Sequence, residues 1–274
     1  MSVDAGGIDA DALIKRIVAL RGDLFGEFKM VAETVPDTQL LMFEAAGYMH
    51  SYETLTAPDQ ELSAPMRELI AVCQLAAQHD GRFAANHVRR LYRLGITDAV
   101  MFEAAEAISP VVGWSVLSHV AQAIITANDP SYPEGKMPPD GPPKECKPFP
   151  EMNLGRDVVE RPVQESIADS PEFKYIARID PELVKRTAAF ADHCLLVPSR
   201  PGKLLGPGVR ELVAAAALCV RGEAELAARH IKRAYAYGLT QRQVLEAISC
   251  ICPMSGAVSI QVGARAMQIA DAGK

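Results

Sequence analysis

RELIAVCQLAAQHDGRFAANHVRRLYRLGITDAVMFEAAEAISPVVG at residues 67–113 recurs in altered form as RELVAAAALCVRGEAELAARHIKRAYAYGLTQRQVLEAISCICPMSG at residues 210–256. The two stretches align at a constant offset of 143 without a gap, and 17 of the 47 positions are identical by direct count. Arg67, Glu68 and Leu69 correspond to Arg210, Glu211 and Leu212; His87 and Arg90 correspond to His230 and Arg233. Tyr92, Gly95 and Thr97 pair with Tyr235, Gly238 and Thr240, and Pro110 and Gly113 with Pro253 and Gly256. Upstream, Glu27-Phe28-Lys29 returns as Glu172-Phe173-Lys174 and Pro36 as Pro181, at an offset of 145. A self-similarity of this length reads as a tandem duplication of one supersecondary unit.

Each copy carries helix signals throughout. Glu68 to Gln78 and Glu211 to Val220 are rich in alanine and leucine, and Arg82 to Leu94 and Glu223 to Tyr237 follow. Gly95 and Gly238 supply the left-handed residue that closes a helix, with Ile96 or Leu239 as the apolar contact beyond it. Thr97 and Thr240 are N-caps, and Gln243 completes a capping box with Thr240. Val244, Leu245, Ile248 and Ile251 then form one buried stripe. Pro110 and Pro253 are expected to open the last helix of each copy.

Between the copies, Asn128 to Ser166 holds nine prolines. Proline fixes φ and removes a donor, so this segment cannot be helical and reads as an extended strap, with Phe149, Met152 and Leu154 as anchors. The expected division is residues 1–127, a linker at 128–166, and residues 167–274.

Composition agrees with an all-α protein. Hydrophobic residues make up 49% and charged residues 23%, as in ordinary globular chains, while aromatics are only 6%. The net charge of −6 opposes nucleic-acid binding, which needs a basic surface. No apolar run approaches a membrane span, and Met1 to Asp11 lacks the basic and apolar regions of a secretory signal, so a cytoplasmic location is expected. The six cysteines form no Cys-x-x-Cys pair. Neither a glycine-rich phosphate loop nor a ligand-spaced His/Asp/Glu cluster is present, so no metal or cofactor is expected.

The ordered set is Arg-Glu-Leu, then His-Val-Arg or His-Ile-Lys, Gly-Ile-Thr or Gly-Leu-Thr, Glu-Ala, and Pro-x-x-Gly. It resembles the carboxymuconolactone decarboxylase family, which shares its fold with the alkyl hydroperoxidase D-like proteins. The resemblance implies two all-α alkyl hydroperoxidase D-like repeats joined by the strap, and a homotrimer. It also implies either a carbon–carbon lyase or, alternatively, a peroxidase-type or non-catalytic relative. The peroxidase branch carries Cys-x-x-Cys-x-x-x-His. Here the cysteine positions hold Asp80 and Phe83, or Glu223 and Leu226, so thiol chemistry is disfavoured. Gly81-Arg82-Phe83 and His87-Val88-Arg89 resemble the decarboxylase branch instead.

His87 carries the side-chain type in the motif whose free pKa lies near neutrality, so it can both give and take a proton. Arg90 shares its helical face, and Phe83 lies one turn before it. Glu68, on the preceding helix, is placed to orient and charge the imidazole, as carboxylates do in acid–base pairs. The expected catalytic residues are therefore His87, Glu68, His230 and Glu211. Arg90, Arg233, Phe83 and Trp114 are expected to bind a small carboxylated lactone or related unsaturated acid. The competing reading of the same residues is a structural ion pair among Arg67, Glu68 and Arg90, with His87 a core histidine and Trp114 simply packed. Trp114 faces Ala257 in the alignment and His119 faces Val262, an asymmetry that suggests one active and one structural copy, and Trp114 with the aromatic Phe83 favours the first as the active one.

Overall fold

Each paired signal becomes a pair of helices. The computed structural model describes residues 7–21, 24, 26–50, 59–130, 142–157, 167–196 and 202–272. In chain order these form α1 (Ala10–Arg21), α2 (Gly26–Thr34), α3 (Pro36–His50), α4 (Ala64–Ala77), α5 (Gly81–Arg93), α6 (Asp98–Val112) and α7 (Ser115–Ala127). After the strap come α8 (Pro171–Ala177), α9 (Pro181–Ala191), α10 (Pro207–Val220), α11 (Ala224–Ala236), α12 (Gln241–Ser249), α13 (Cys252–Ser255) and α14 (Val258–Asp271). No strand occurs among the described residues. The fold is all-α. Helices α10, α11, α12 and α14 each begin 143 residues after α4, α5, α6 and α7, and α8 and α9 begin 145 after α2 and α3.

The boundaries follow from local chemistry. Gly95 and Gly238 take φ of +86° and +90°, the left-handed conformation that a side chain would strain. Thr240 and Gln243 form the reciprocal capping box. The prolines depart from expectation. Pro110 lies inside α6 and Pro253 opens the short α13; the last helices start later, at Ser115 and Val258. Pro110 deprives the Glu106 carbonyl of its helical donor, and the Ser109 hydroxyl replaces it at 2.7 Å. The break falls instead after Gly113 and Gly256, both at positive φ.

Helices α4 and α10 are buried on every side and form the centre of one apolar core shared by both halves. The halves are joined by reciprocal buried ion pairs. Arg67 of α4 reaches Glu246 of α12, and Arg210 of α10 reaches Glu103 of α6. The surroundings repeat too. Glu246 accepts from the Leu62 amide at 2.9 Å, and Glu103 from the Leu205 amide at 3.0 Å. Arg67 donates to the Met49 carbonyl, and Arg210 to that of Cys194. Each half thus supplies the arginine for the other's glutamate, as in a two-fold interface. Arg67 is therefore not a partner of Glu68, contrary to the ion-pair grouping considered from sequence.

The described part of the strap crosses this seam. Lys147 N–H donates to the Gly95 carbonyl at 2.8 Å, and Glu151 accepts from the amide and hydroxyl of Ser63. Phe149 and Met152 are buried in the shared core, and Leu154 is partly buried against it. Gly206 is required where the strap lies on the start of α10, because a Cβ there would stand 2.4 Å from the Leu154 carbonyl oxygen. Helices α1, α2 and α3 build a second, smaller apolar cluster around Leu13, Ile17, Phe43 and Ala46. No helix among the described residues is long and apolar enough to cross a membrane.

Candidate functional site

Helices α4 and α5 pack side by side and bring Glu68 against His87. Glu68 Oε2 accepts from His87 Nδ1 at 2.6 Å, while Oε1 takes the Arg90 guanidinium and stands 3.3 Å from His50 Nδ1. Arg90 also donates to the His50 carbonyl at 2.9 Å. Side chains of Glu68, His87 and His50 are at most 1% exposed. Burial alone would raise the Glu68 pKa, but Arg90, His50 and His87 outweigh it and hold the carboxyl well below its usual range. Glu68 is thus an ionised carboxylate enclosed by donors, and removing such a buried partner typically costs about 3–5 kcal/mol.

The second half repeats the arrangement with differences. Glu211 Oε2 accepts from His230 Nδ1 at 2.7 Å and lies 3.0 Å from Arg233 Nε. Arg233 Nη2 also sits 2.9 Å from His230 Nδ1. The Glu211 carboxyl is raised by burial, yet His230 and Arg233 together bring it below its ordinary value. Desolvation lowers the pKa of His230, Arg233 and Arg229 reinforce this, and Glu211 opposes it. In both halves the carboxylate engages Nδ1 of the imidazole, which leaves Nε2 as the other ring nitrogen.

Phe83 lies one turn before His87, with ring centroids 6.4 Å apart, and stacks edge-on against Phe28 of α2 at 5.3 Å. Trp114 stands just before α7 with 75% of its surface exposed. His50 is the member that sequence reasoning missed. It lies 18 residues before Glu68, at the end of α3, and its counterpart at the 145 offset is Leu195, so the repeat itself conceals it.

His50, Glu68 and His87 place an imidazole, a carboxylate and an imidazole within 4.8 Å of one another, the donor types of a divalent-metal site. Both Glu68 oxygens are already engaged, and Arg90 supplies the positive charge there. The trio is a charge-compensated cluster and a poor fit to a metal. A separate cavity of about 450 Å³ is lined by Glu106, Ser109, Leu117, Ala189, Phe190, His193 and Cys194. It forms between α6 and α7 of one half and α9 of the other, a juxtaposition that spacing within either copy could not reveal.

All six cysteines are free. Burial pushes the thiols of Cys73, Cys219 and Cys250 up to about 12, and raises Cys146, Cys194 and Cys252 as well. A raised thiol is a poor redox nucleophile.

No curated protein matches the chain. Residues 181–268, from α9 into α14, match the model of the carboxymuconolactone decarboxylase family. That stretch contains Glu211, His230 and Arg233, and the helical architecture agrees with it. Over residues 181–268 the chain is thus similar to the carboxymuconolactone decarboxylase family, and its all-α architecture is consistent with the alkyl hydroperoxidase D-like fold.

Proposed function

We propose that the protein is a lyase that removes CO₂ from a small carboxylated lactone or related unsaturated acid by histidine acid–base catalysis. The observation that carries this reading is the buried carboxylate–imidazole–guanidinium set, formed twice around Glu68–His87 at 2.6 Å and Glu211–His230 at 2.7 Å. Breaking the bond between carbon and the carboxyl group sends its electron pair into the conjugated carbonyl, giving a dienolate. A guanidinium stabilises that charge, and the imidazolium form of the histidine delivers its Nε2 proton to carbon, leaving a neutral imidazole whose Nδ1–H faces the carboxylate; a proton from water then restores the imidazolium. Proton transfer of this kind contributes roughly 10² to 10⁴ in rate. We also infer, from family resemblance and the apolar residues exposed on α2, α3, α8 and α9, that the chain assembles as a homotrimer.

The reading is tested by offering unsaturated lactone carboxylates and measuring CO₂ release with and without a chelator. Turnover that survives the chelator and fails in a variant lacking both histidines supports it. Turnover of a hydroperoxide with a dithiol, and none of any lactone acid, would replace it. Light scattering at micromolar concentration checks the trimer, and a monomeric mass would refute it.

A further inference from the structure

Compared residue by residue through their offsets, the two halves enclose the same constellation more tightly in the first than in the second. In the first half α2 is latched to α5 twice. Arg82 pairs with Glu27 at 2.5 Å, and Phe83 stacks on Phe28 at 5.3 Å. The corresponding residues of the second half are Glu225 with Glu172 and Leu226 with Phe173, so an attraction has become two like charges and an aromatic pair has lost a ring. Glu225 turns away to Arg265 of α14 at 2.7 Å, and Leu226 is 41% exposed. The His230 side chain is 7% exposed where that of His87 is 1% exposed, and that of Arg233 is 17% exposed where that of Arg90 is 10% exposed.

The carboxylates differ in the same sense. Glu68 Oε1 is occupied from within the protein by Arg90, with His50 beside it. In the second half Leu195 replaces His50, and Arg233 has moved to Oε2 and His230. Glu211 Oε1 is left buried with no hydrogen-bond partner in the protein. A buried acceptor in that state is a place for a donor to bind. Arg233 and Arg229 both act on His230, with Glu211 opposing them and Glu172 facing Arg229, whereas the first-half counterpart of Arg229, Asn86, is neutral.

Resting on the acid–base reading above, we propose that the second half holds the working site and binds a hydroxyl-bearing member of that unsaturated-acid class, its hydroxyl on Glu211 Oε1 and its carboxylate on Arg233, a pattern that a small hydroxy carboxylate shares. The first half is a latched copy in which His50 occupies the ligand's place. This reverses the preference that Trp114 and Phe83 suggested from sequence.

Access can be measured without any turnover. Diethyl pyrocarbonate acylates accessible neutral imidazoles, and peptide mass spectrometry reads each histidine separately. At pH 7 His230 should react at least about tenfold faster than His87, as expected for sites that differ in local opening. The double variant Arg82→Glu/Phe83→Leu, which writes the second half's residues into the first, should speed His87 and leave His230 unchanged. Glycolate should protect His230 in the wild-type chain at concentrations where acetate, which lacks the hydroxyl, does not. Equal or faster labelling of His87 in the wild-type chain would overturn the assignment, and equal protection by the two acids would overturn the ligand class. Faster labelling of His230 in a protein that turns over no lactone acid would instead leave the assignment standing and remove the lyase reading.

Discussion

The first half surrounds its glutamate with three donors and an aromatic latch; the second half surrounds its glutamate with two donors and leaves one oxygen bare. Glu68 accepts on both oxygens, from His87 on one and Arg90 on the other, while Glu211 uses only Oε2. A buried carboxylate with both oxygens committed stabilises a fold, whereas one with an uncommitted oxygen costs stability and keeps a place for a ligand. The comparison teaches that one residue pattern can have both carboxylate oxygens engaged in one half and leave one without a protein partner in the other.

The largest effect that would sharpen this comparison is on stability. Glu68→Ala leaves Arg90, His87 and His50 without their common carboxylate and should cost about 3–5 kcal/mol, measured by urea unfolding. Glu211→Ala should cost less, because one of its oxygens contributes nothing to lose. Equal losses would show that the halves do not differ in this way.

Acid should expose the same difference in order of pH. His230 has a folded pKa below its ordinary 6.5, so the unfolded chain takes up its proton first, and stability is lost as pH falls from about 6.5. Glu68 and Glu211 are also depressed, from an ordinary 4.5; their contribution is present above that value and is lost as pH falls through it. The unfolding free energy should therefore decline in two stages between neutral and acid pH. Replacing His230 with Asn should shrink the upper stage, to which His119, lowered by burial and by His79, also contributes, and leave the lower stage in place. A profile flat from pH 7 to 5 would contradict the shift at His230.

The smallest expected effect concerns the latch. Arg82 and Glu27 are both more than half exposed, and such pairs are worth about 0–1 kcal/mol. Arg82→Glu should barely change the melting temperature and yet raise amide exchange in α2. Exchange unchanged in α2 would mean that the latch does not hold this helix.

Much of the fold is legible in the sequence because the repeat states every signal twice. Helix starts at offsets of 143 and 145, the glycines at 95 and 238 and the capping box at Thr240 follow from local rules. The proline reading fails for a local reason as well. Ser109 replaces the donor that Pro110 lacks, so α6 continues through it. Glu68, His87 and Arg90 meet because helical spacing places two of them on one face, and the neighbouring α4 brings the third. His50 was not legible, since the element that carries it is shifted by two residues and its counterpart is a leucine. Nor was the exchange of Arg67 and Arg210 between halves, which depends on how the copies dock. Spacing within one copy carries no information about that docking.

The most direct measurement is the rate of CO₂ release from an unsaturated lactone carboxylate by the wild-type chain and by His230→Asn, with melting temperatures recorded on the same samples. The account predicts a loss of roughly 10² to 10⁴ in turnover, with a melting transition that stays within a few degrees of the wild type. A variant that melts much earlier but keeps its rate per folded molecule would show that the Glu211–His230 pair holds the fold together and takes no part in the chemistry.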